Sequence, residues 1–246
     1  MARSKVDGEQ RSRMLIRTTS IMLEENGIQG ITMRALSARV GISHAAPYRY
    51  FGHKTDLLAA VAEDGFSRLA DQMERLGGSW SGKPLERFGT TVCGYVRFAL
   101  HNPEVYRLMF GMQPADRTAI SPPRNPTERV FSILLSVMRE AQARGCFRRE
   151  APSSQAGFAW NAIHGLSMLL ISGTAGSAFV ACDDGDDRTG GFREEPSRPA
   201  SWERITDRTV EFLVRSLAEP PGDAGESAPV PAPDATTGIR EGDDRP

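Results

Sequence analysis

The sequence predicts an all-α protein of about nine helices. Apolar side chains recur every three to four residues in nearly every periodic stretch between Arg11 and Leu217, which is the spacing of one helix face. Neither the alternation of a β-strand nor the turn pair of a hairpin is convincing anywhere in the chain. Glycine and proline stand between the periodic stretches, where they can end helices. We therefore expect an N-terminal three-helix domain of the helix-turn-helix type, followed by a C-terminal helical bundle.

Three helices are predicted in the N-terminal part. The first spans about residues 9–26. Thr32 is placed to cap the second, because its hydroxyl can accept a hydrogen bond from a free backbone N–H of the first turn. Gly41 ends that helix, since glycine takes a positive φ without strain. Ser43 can cap a third, short helix, and Pro47 within it removes one backbone N–H, which predicts an irregular or tightly wound start.

A long fourth helix is predicted to connect the two domains. It begins after the Lys54-Thr55-Asp56 sequence and ends near the Gly77-Gly78 pair. Loops containing Asn, Pro and Gly separate the helices that follow. These helices are expected at about residues 84–101, 103–111, 125–145, 152–175 and 201–218.

The chain divides into three predicted parts. Residues 9–58 form the helix-turn-helix domain, and residues 59–218 form the second domain. Residues 219–246 are an acidic tail rich in Pro and Gly, which we expect to be disordered because it has too few apolar side chains to offset the entropy of ordering. The acidic segment 183–199 is expected to be an unstructured loop for the same reason.

The net charge of −1 conceals an uneven distribution. Residues 1–60 carry nine basic and five acidic side chains, a net charge of +4. From Glu219 to the end there are seven acidic and two basic side chains, a net charge of −5. A basic first domain and an acidic tail suit a protein whose N-terminal part approaches nucleic-acid phosphates while the rest does not.

The beginning of the chain lacks the features of an export signal. Its first thirteen residues are polar and charged, and no later run reaches about 18 uninterrupted apolar residues. Cys93, Cys146 and Cys182 are far apart and odd in number, which argues against a disulfide framework. We expect a cytoplasmic protein that has no membrane partner.

The residue patterns of enzymes and metal sites are not found in the sequence. There is no phosphate-binding loop, no paired histidine and carboxylate metal motif, and no serine or cysteine with an evident base partner. The acidic run 183–187 does not fit a calcium loop, because Arg188 and Thr189 stand where a ligand oxygen and a glycine are required. We therefore expect no catalytic residue, no metal and no cofactor.

The stretch from Thr32 to Leu58 has the compact spacing of a helix-turn-helix. Apolar residues of its first helix can pack across the second, so that the outer side of the second helix can enter a major groove. On that side Arg49 and His44 can reach base edges or phosphates, and tyrosine hydroxyls can bond phosphate oxygens. The alternative is a small helical subdomain whose polar side chains only face solvent.

The same stretch resembles the TetR family closely. The resemblance lies in the Gly-Ile-Ser turn, the Tyr-Arg-Tyr-Phe sequence at residues 48–51, the following Lys54, and the Leu-Leu pair at residues 57–58. It implies a DNA-binding domain from about Arg11 to Leu58, although the base that each residue reads does not transfer. The predicted DNA-contacting residues are Thr32, Arg34, Ser43, His44, Ala45, Tyr48, Arg49, Tyr50 and Lys54.

A second resemblance lies near the C-terminal end of the periodic region. Trp160, His164 and Gly165 are similar to the Trp-x-x-x-His-Gly pattern of the WHG-type C-terminal domain of the same family. This resemblance implies that residues 59–218 bind a small-molecule effector and form a homodimer, in which the last two long helices build a four-helix bundle. It also implies a repressor that the effector releases from a palindromic operator on double-stranded DNA.

Apolar and aromatic side chains of the second domain are candidates for an effector cavity between helices. They favour an apolar or aromatic effector, but each of them can equally be an ordinary core residue. His164 has two interpretations, a contact to an effector or metal, or a hydrogen-bonded core histidine, which is the commoner case. The candidates are Phe98, Tyr106, Met109, Phe110, Phe131, Met138, Trp160 and His164, and Met112, Leu134, Phe158 and Met168 extend the set.

Two other functions are alternatives to that of a regulator. In one, the N-terminal domain is vestigial and the rest of the chain binds or converts a small molecule, but no motif in the sequence supports this. In the other, the protein is a nonspecific architectural DNA binder, against which the modest charge of +4 and the acidic tail argue.

Overall fold

A computed structural model describes residues 2–78, 82–111, 126–174 and 202–218. These ranges form α-helices and two short 3-10 turns, without a strand among them, which confirms the predicted all-α class. The acidic segment 183–199, the tail 219–246, Met112 and Cys182 lie outside the described residues. The helices are α1 (Ala2–Asn26), α2 (Met33–Val40), α3 (Lys54–Gly78), α4 (Pro84–His101), α5 (Pro103–Gly111), α6 (Pro126–Ala143), α7 (Pro152–Ile171) and α8 (Trp202–Leu217), and the 3-10 turns are Ile28–Gly30 and Pro47–Arg49.

The start and end of α2 agree with the predicted cap residues. The Thr32 hydroxyl accepts a hydrogen bond from the Ala35 N–H at 3.0 Å. Gly41 follows the helix in the left-handed conformation, with a φ of 73° that a side chain would strain. In contrast, α1 begins at Ala2, earlier than the predicted start at residue 9. The prediction missed the first turns because their sequence has no apolar stripe.

The predicted third helix is a turn rather than an α-helix. An α-helix here would need an N–H at position 47 to bond the Ser43 carbonyl, and proline has none. The Ser43 carbonyl instead accepts from the Ala46 N–H at 3.0 Å, and the chain continues as the 3-10 turn Pro47–Arg49. The described ranges hold eight α-helices, and the predicted third helix is present among them as this 3-10 turn. The predicted tight winding is confirmed.

The long helix α3 lies at the centre of the fold and contacts α1, α4, α5 and α6. Its buried side includes Leu57 near the start and Met73 near the end, so both parts of the chain share one hydrophobic core. The predicted boundary between residues 58 and 59 falls inside α3, so this helix belongs to both predicted domains. No described helix combines the length and apolar character needed to span a membrane.

Gly65 allows α3 and α5 to pack closely. A Cβ atom at this position would lie 2.7 Å from Met109 Sδ and 2.9 Å from Val105 Cγ1, which is closer than side-chain atoms approach. Helix α5 is therefore held against the middle of α3 through both Val105 and Met109.

Candidate nucleic-acid interface and regulatory core

The predicted DNA-contacting residues lie in three segments: the start of α2, the turn at residues 43–50, and the start of α3. We call residues 43–50 the recognition turn. Tyr48 is 55 % exposed, whereas Tyr50 and Lys54 are partly covered. The exposed members of the predicted set are Thr32, Arg34, Ser43, His44, Ala45, Tyr48 and Arg49.

Buried residues anchor the recognition turn from beneath. Pro47 is buried within the turn, and Phe51, at 7 % exposure, packs in the core immediately after it. The Phe51 N–H donates to the Pro47 carbonyl at 3.0 Å, and the Ile42 N–H donates to the Ser37 carbonyl at the same distance. The backbone before and after the exposed side chains is thus fixed, which reduces the entropy lost when they contact a partner.

An ion pair fastens α2 to α1. The Arg39 guanidinium donates from Nη1 to Glu25 Oε2 at 2.6 Å and from Nη2 to Glu25 Oε1 at 2.8 Å. These hydrogen bonds lower the pKa of the Glu25 carboxyl. Both terminal nitrogens of Arg39 are therefore hydrogen-bonded within the domain. In contrast, neither Arg34 nor Arg49 forms an ion pair with a described residue, and both are exposed.

Lys54 has an intramolecular contact that sequence analysis did not predict. Its ammonium donates to the Ile28 carbonyl at 3.0 Å and ties the start of α3 to the 3-10 turn Ile28–Gly30. An ammonium has three donors, so two are left for a phosphate. Thr32 is similar, because its hydroxyl oxygen caps α2 while its proton is free to be donated.

A small cavity, about the size of one water molecule, lies between α3, α4, α6 and α7. The side chains around it are uncharged. Among the predicted effector residues, Trp160 lines it, and so does Leu134 of the extended set. The lining residues are Met73, Thr91, Val92, Tyr95, Leu134, Trp160 and Ile163.

A hydrogen-bonded chain of three side chains lies beside this cavity and joins α4, α5 and α7. Tyr106 Oη donates to Tyr95 Oη at 2.9 Å and lies 2.6 Å from His164 Nδ1. The single hydroxyl proton of Tyr106 is donated to Tyr95, so Tyr106 Oη accepts a hydrogen bond from the Nδ1–H of His164. Burial raises the pKa of both tyrosines and lowers the pKa of His164. All three side chains are therefore neutral at pH 7.

The remaining predicted effector residues fall into two groups. Phe110 packs on His164 in a tilted arrangement with ring centroids 4.3 Å apart, and Phe131 packs on Trp160 with centroids 5.7 Å apart, so both adjoin the cavity or the hydrogen-bonded chain. The others are core side chains that do not line the cavity. These are Phe98, Met109 and Met138.

Sequence analysis missed the other lining residues, which are Met73, Thr91, Val92, Tyr95 and Ile163. They belong to the ordinary apolar stripes of their helices, and only contacts between helices distinguish them. Phe158 and Met168 of the extended set do not line this cavity and are 50 % and 37 % exposed.

A partly exposed apolar stripe runs along α7. Phe158, Ala162, Gly165 and Leu169 are spaced by three or four residues and so share one side of this helix. Phe158 and Leu169 are exposed, and nothing lies within 4 Å of a Cβ built at Gly165. On the neighbouring α8, Phe212 is 66 % exposed.

Comparisons with known proteins match both parts of this architecture. Residues 15–61 match the family described as bacterial regulatory proteins, tetR family. Residues 90–185 match the tetracyclin repressor-like C-terminal domain. The two spans cover more than half of the chain, and they define a helix-turn-helix regulator with a helical C-terminal domain. The chain belongs to the TetR family of bacterial regulatory proteins. The WHG subtype stays a prediction.

Individual relatives agree with this assignment. The HTH-type transcriptional regulator Rv1816 from Mycobacterium tuberculosis is 29% identical over 122 residues, 45% of this chain and 50% of the relative. The chain thus spans about half the length of the curated relatives it matches. A solved structure of a protein of unknown function from Rhodococcus sp. RHA1 has a TM-score of 0.64 at 27% identity, covering 85% of this chain and 95% of that one.

A more distant structure shows the same fold. The TetR family transcriptional regulator PfmR from Thermus thermophilus has a TM-score of 0.55 at 16% identity, covering 82% of this chain and 97% of that one.

Acidification is expected to destabilise the protein through His164. Because burial lowers the pKa of His164 below its ordinary value of 6.5, the unfolded chain takes up a proton before the folded chain does. The free energy of unfolding should therefore fall as the pH drops through 6.5, and this loss should level off below the folded-state pKa. Urea denaturation on either side of this range, for the wild type and His164→Asn, measures the effect.

His164→Asn is expected to lose less stability on acidification than the wild type, whatever its stability at neutral pH. Tyr106→Phe is the control, because it removes the hydrogen bond and keeps the imidazole, so its pH dependence should persist. An equal loss in the wild type and His164→Asn would contradict the prediction.

Proposed function

We propose that this protein is a sequence-specific transcriptional regulator that binds a palindromic DNA operator as a homodimer and is released by a small neutral effector. The observation that carries the proposal is the recognition turn, in which exposed polar side chains stand on a buried Pro47 and Phe51. Side chains held in this way can be pressed into a major groove without reordering the backbone.

The residues of the recognition turn have the chemistry to read DNA. Arg49 can pair with the O6 and N7 acceptors of a guanine, and His44 can bond a base edge or a phosphate. Ala45 is small enough for close approach to the groove floor. Tyr48 can donate its hydroxyl to a phosphate from a rigid ring. Lys54 and the Thr32 hydroxyl add phosphate contacts at either side.

The exposed Phe158 and Leu169 of α7 and Phe212 of the neighbouring α8 support a dimer. Large exposed apolar side chains that lie together generally mark an interaction surface. Gly165 would let a second helix approach closely, as in the four-helix bundles that pair two helices from each protomer. A twofold dimer presents two recognition turns to half-sites about 34 Å apart, which corresponds to one turn of the double helix.

The interior of the second domain favours a neutral effector. The cavity lining has no charged side chain, and Tyr95, Tyr106 and His164 beside it are neutral at pH 7. A charged ligand would lose its hydration there without gaining an ion pair, which is costly. An apolar or aromatic molecule with one hydroxyl would bury its rings and bond the tyrosine chain. Met73 and Trp160 would have to shift to admit it, and methionine adapts readily in this way.

Helix α3 provides a route from the effector to DNA. It begins with Lys54 at the nucleic-acid interface and lines the cavity with Met73 near its other end. An effector that displaces Met73 would move the whole helix and change the separation of the two recognition turns. Couplings of this kind typically change affinity about 5- to 150-fold.

Selection of bound duplexes from a random DNA pool tests operator recognition. At about 0.15 M salt, which damps nonspecific phosphate contacts, the wild type is expected to recover a palindromic consensus. Arg49→Ala should weaken binding to that consensus about fivefold or more and relax one base position, because a bidentate contact is worth about 1–3 kcal/mol. Arg139→Ala, an exposed arginine on α6, is the charge-matched control and should bind normally. Recovery of bound duplexes that share no consensus sequence would refute the proposal.

Substitution of Phe212 tests the dimer. Phe212→Glu places a charge on the proposed interface and should shift the protein from dimer to monomer in sedimentation equilibrium at low micromolar concentration. Ile21→Glu makes the same kind of change at a 46 % exposed residue of α1 and should leave the assembly unchanged. A wild-type monomer, or equal behaviour of the two variants, would argue against the interface.

A pair of ligands that differ in charge tests the effector class. By calorimetry at pH 7, 2-naphthol is expected to bind and 2-naphthoate is not, because the carboxylate would be buried without a partner. Tyr106→Phe should weaken the binding of 2-naphthol by about 0.5–1.5 kcal/mol, the typical contribution of one hydrogen bond. Binding of both ligands, or of neither, would contradict a neutral effector.

A further inference from the structure

Helix α5 receives its N-terminal cap from a side chain of α1, about eighty residues earlier in the chain. Glu24 Oε1 accepts a hydrogen bond from the Val105 N–H at 2.9 Å, and Glu24 Oε2 accepts from the Glu104 N–H at 3.2 Å. The first regular hydrogen bond of α5 follows immediately, from the Tyr106 N–H to the Asn102 carbonyl at 2.8 Å. The carboxylate therefore satisfies the two amides that the helix itself leaves free.

The residue that would ordinarily provide this cap is engaged elsewhere. Asn102 stands directly before α5, and asparagine is a favoured cap residue. Its amide nitrogen donates to the Phe98 carbonyl at 3.0 Å, and its amide oxygen accepts from Arg68 at 3.3 Å. Capping of α5 thus depends on Glu24, whose negative charge also interacts favourably with the positive end of the helix.

The capped turn of α5 leads directly into the cavity and the hydrogen-bonded chain of Tyr95, Tyr106 and His164, which together we call the regulatory core. Tyr106, the residue after Val105, is fully buried and belongs to the hydrogen-bonded chain with Tyr95 and His164. On its other side the same turn packs against Gly65 of α3 without space for a further atom. A displacement of Tyr106 cannot be absorbed within this turn, so it must move the Glu104 and Val105 amides relative to Glu24.

We propose that Glu24 is a positioning residue for DNA binding, which holds α1 and the helix-turn-helix at the angle to α5 that the operator requires. This inference rests on the proposed function, since it concerns how the regulatory core reaches the DNA-binding part. When Tyr106 moves, the bidentate contact lengthens and α1 is released from that angle. Because linkage is reciprocal, operator binding must in turn tighten the contact between Glu24 and α5.

The sign of the effect of Glu24→Gln on operator affinity tests the proposal. Removal of a carboxylate from a DNA-binding protein ordinarily strengthens binding through the general electrostatic field. Glu24→Gln loses one of its two acceptors and presents an N–H to the helix amides, so we expect affinity for the selected duplex to fall roughly fivefold or more. Glu9→Gln removes the same charge from an exposed position of α1 and should bind equally or more tightly.

Amide hydrogen exchange gives a second measurement. If Glu24 only stabilised the fold, the exchange rates at the start of α5 would not respond to DNA. In the wild type, the Glu104 and Val105 amides should exchange about fivefold more slowly with the duplex bound than without it, and this difference should vanish in Glu24→Gln. Equal affinity of the two glutamine variants, or exchange rates that do not respond to DNA, would overturn the role of Glu24 alone. Failure to recover any consensus duplex would overturn the proposed function together with this inference.

Discussion

Burial of the apolar side of α3 is the interaction on which the rest of the structure depends. Leu57, Val61 and Leu69 are fully buried along it, and burial of each such side chain contributes about 1.5–3 kcal/mol. The same surface receives α1 near its start, α5 at its middle, and α4 and α6 further on. The nucleic-acid interface and the regulatory core are consequently attached to one rigid helix, and neither can shift without disturbing the packing of the other.

Helix bounds were predictable from sequence where local chemistry defines them. Pro84 and Pro103 begin α4 and α5 at the predicted residues, because a proline needs no hydrogen-bond partner in the first turn of a helix. Thr32 and Gly41 similarly bound α2. The recognition turn was expected to hold a short, tightly wound helix capped by Ser43, and the missing N–H of Pro47 limits it to a 3-10 turn.

The site itself was predictable only in part. Exposure of the recognition residues follows from the local pattern, since the polar residues 48–50 lie between the buried Pro47 and Phe51. The contacts of Lys54 with Ile28 and of Glu24 with α5 join residues that are distant in sequence. No periodicity encodes such pairs, and they emerge only when the helices are packed. For the same reason, the cavity lining could not be separated from ordinary core.

In the recognition turn, the side chains that can contact DNA are not the ones that stabilise the turn, and this separation affects how such regulators diversify. His44, Ala45, Tyr48 and Arg49 are exposed, whereas the stability of the turn resides in its buried residues and backbone hydrogen bonds. Surface substitutions of this kind usually change stability by less than about 0.5 kcal/mol. After gene duplication, the two copies can therefore acquire different operator preferences through point mutations that leave the folded population almost unchanged. New regulatory circuits can arise on this scaffold without compensating changes in its core.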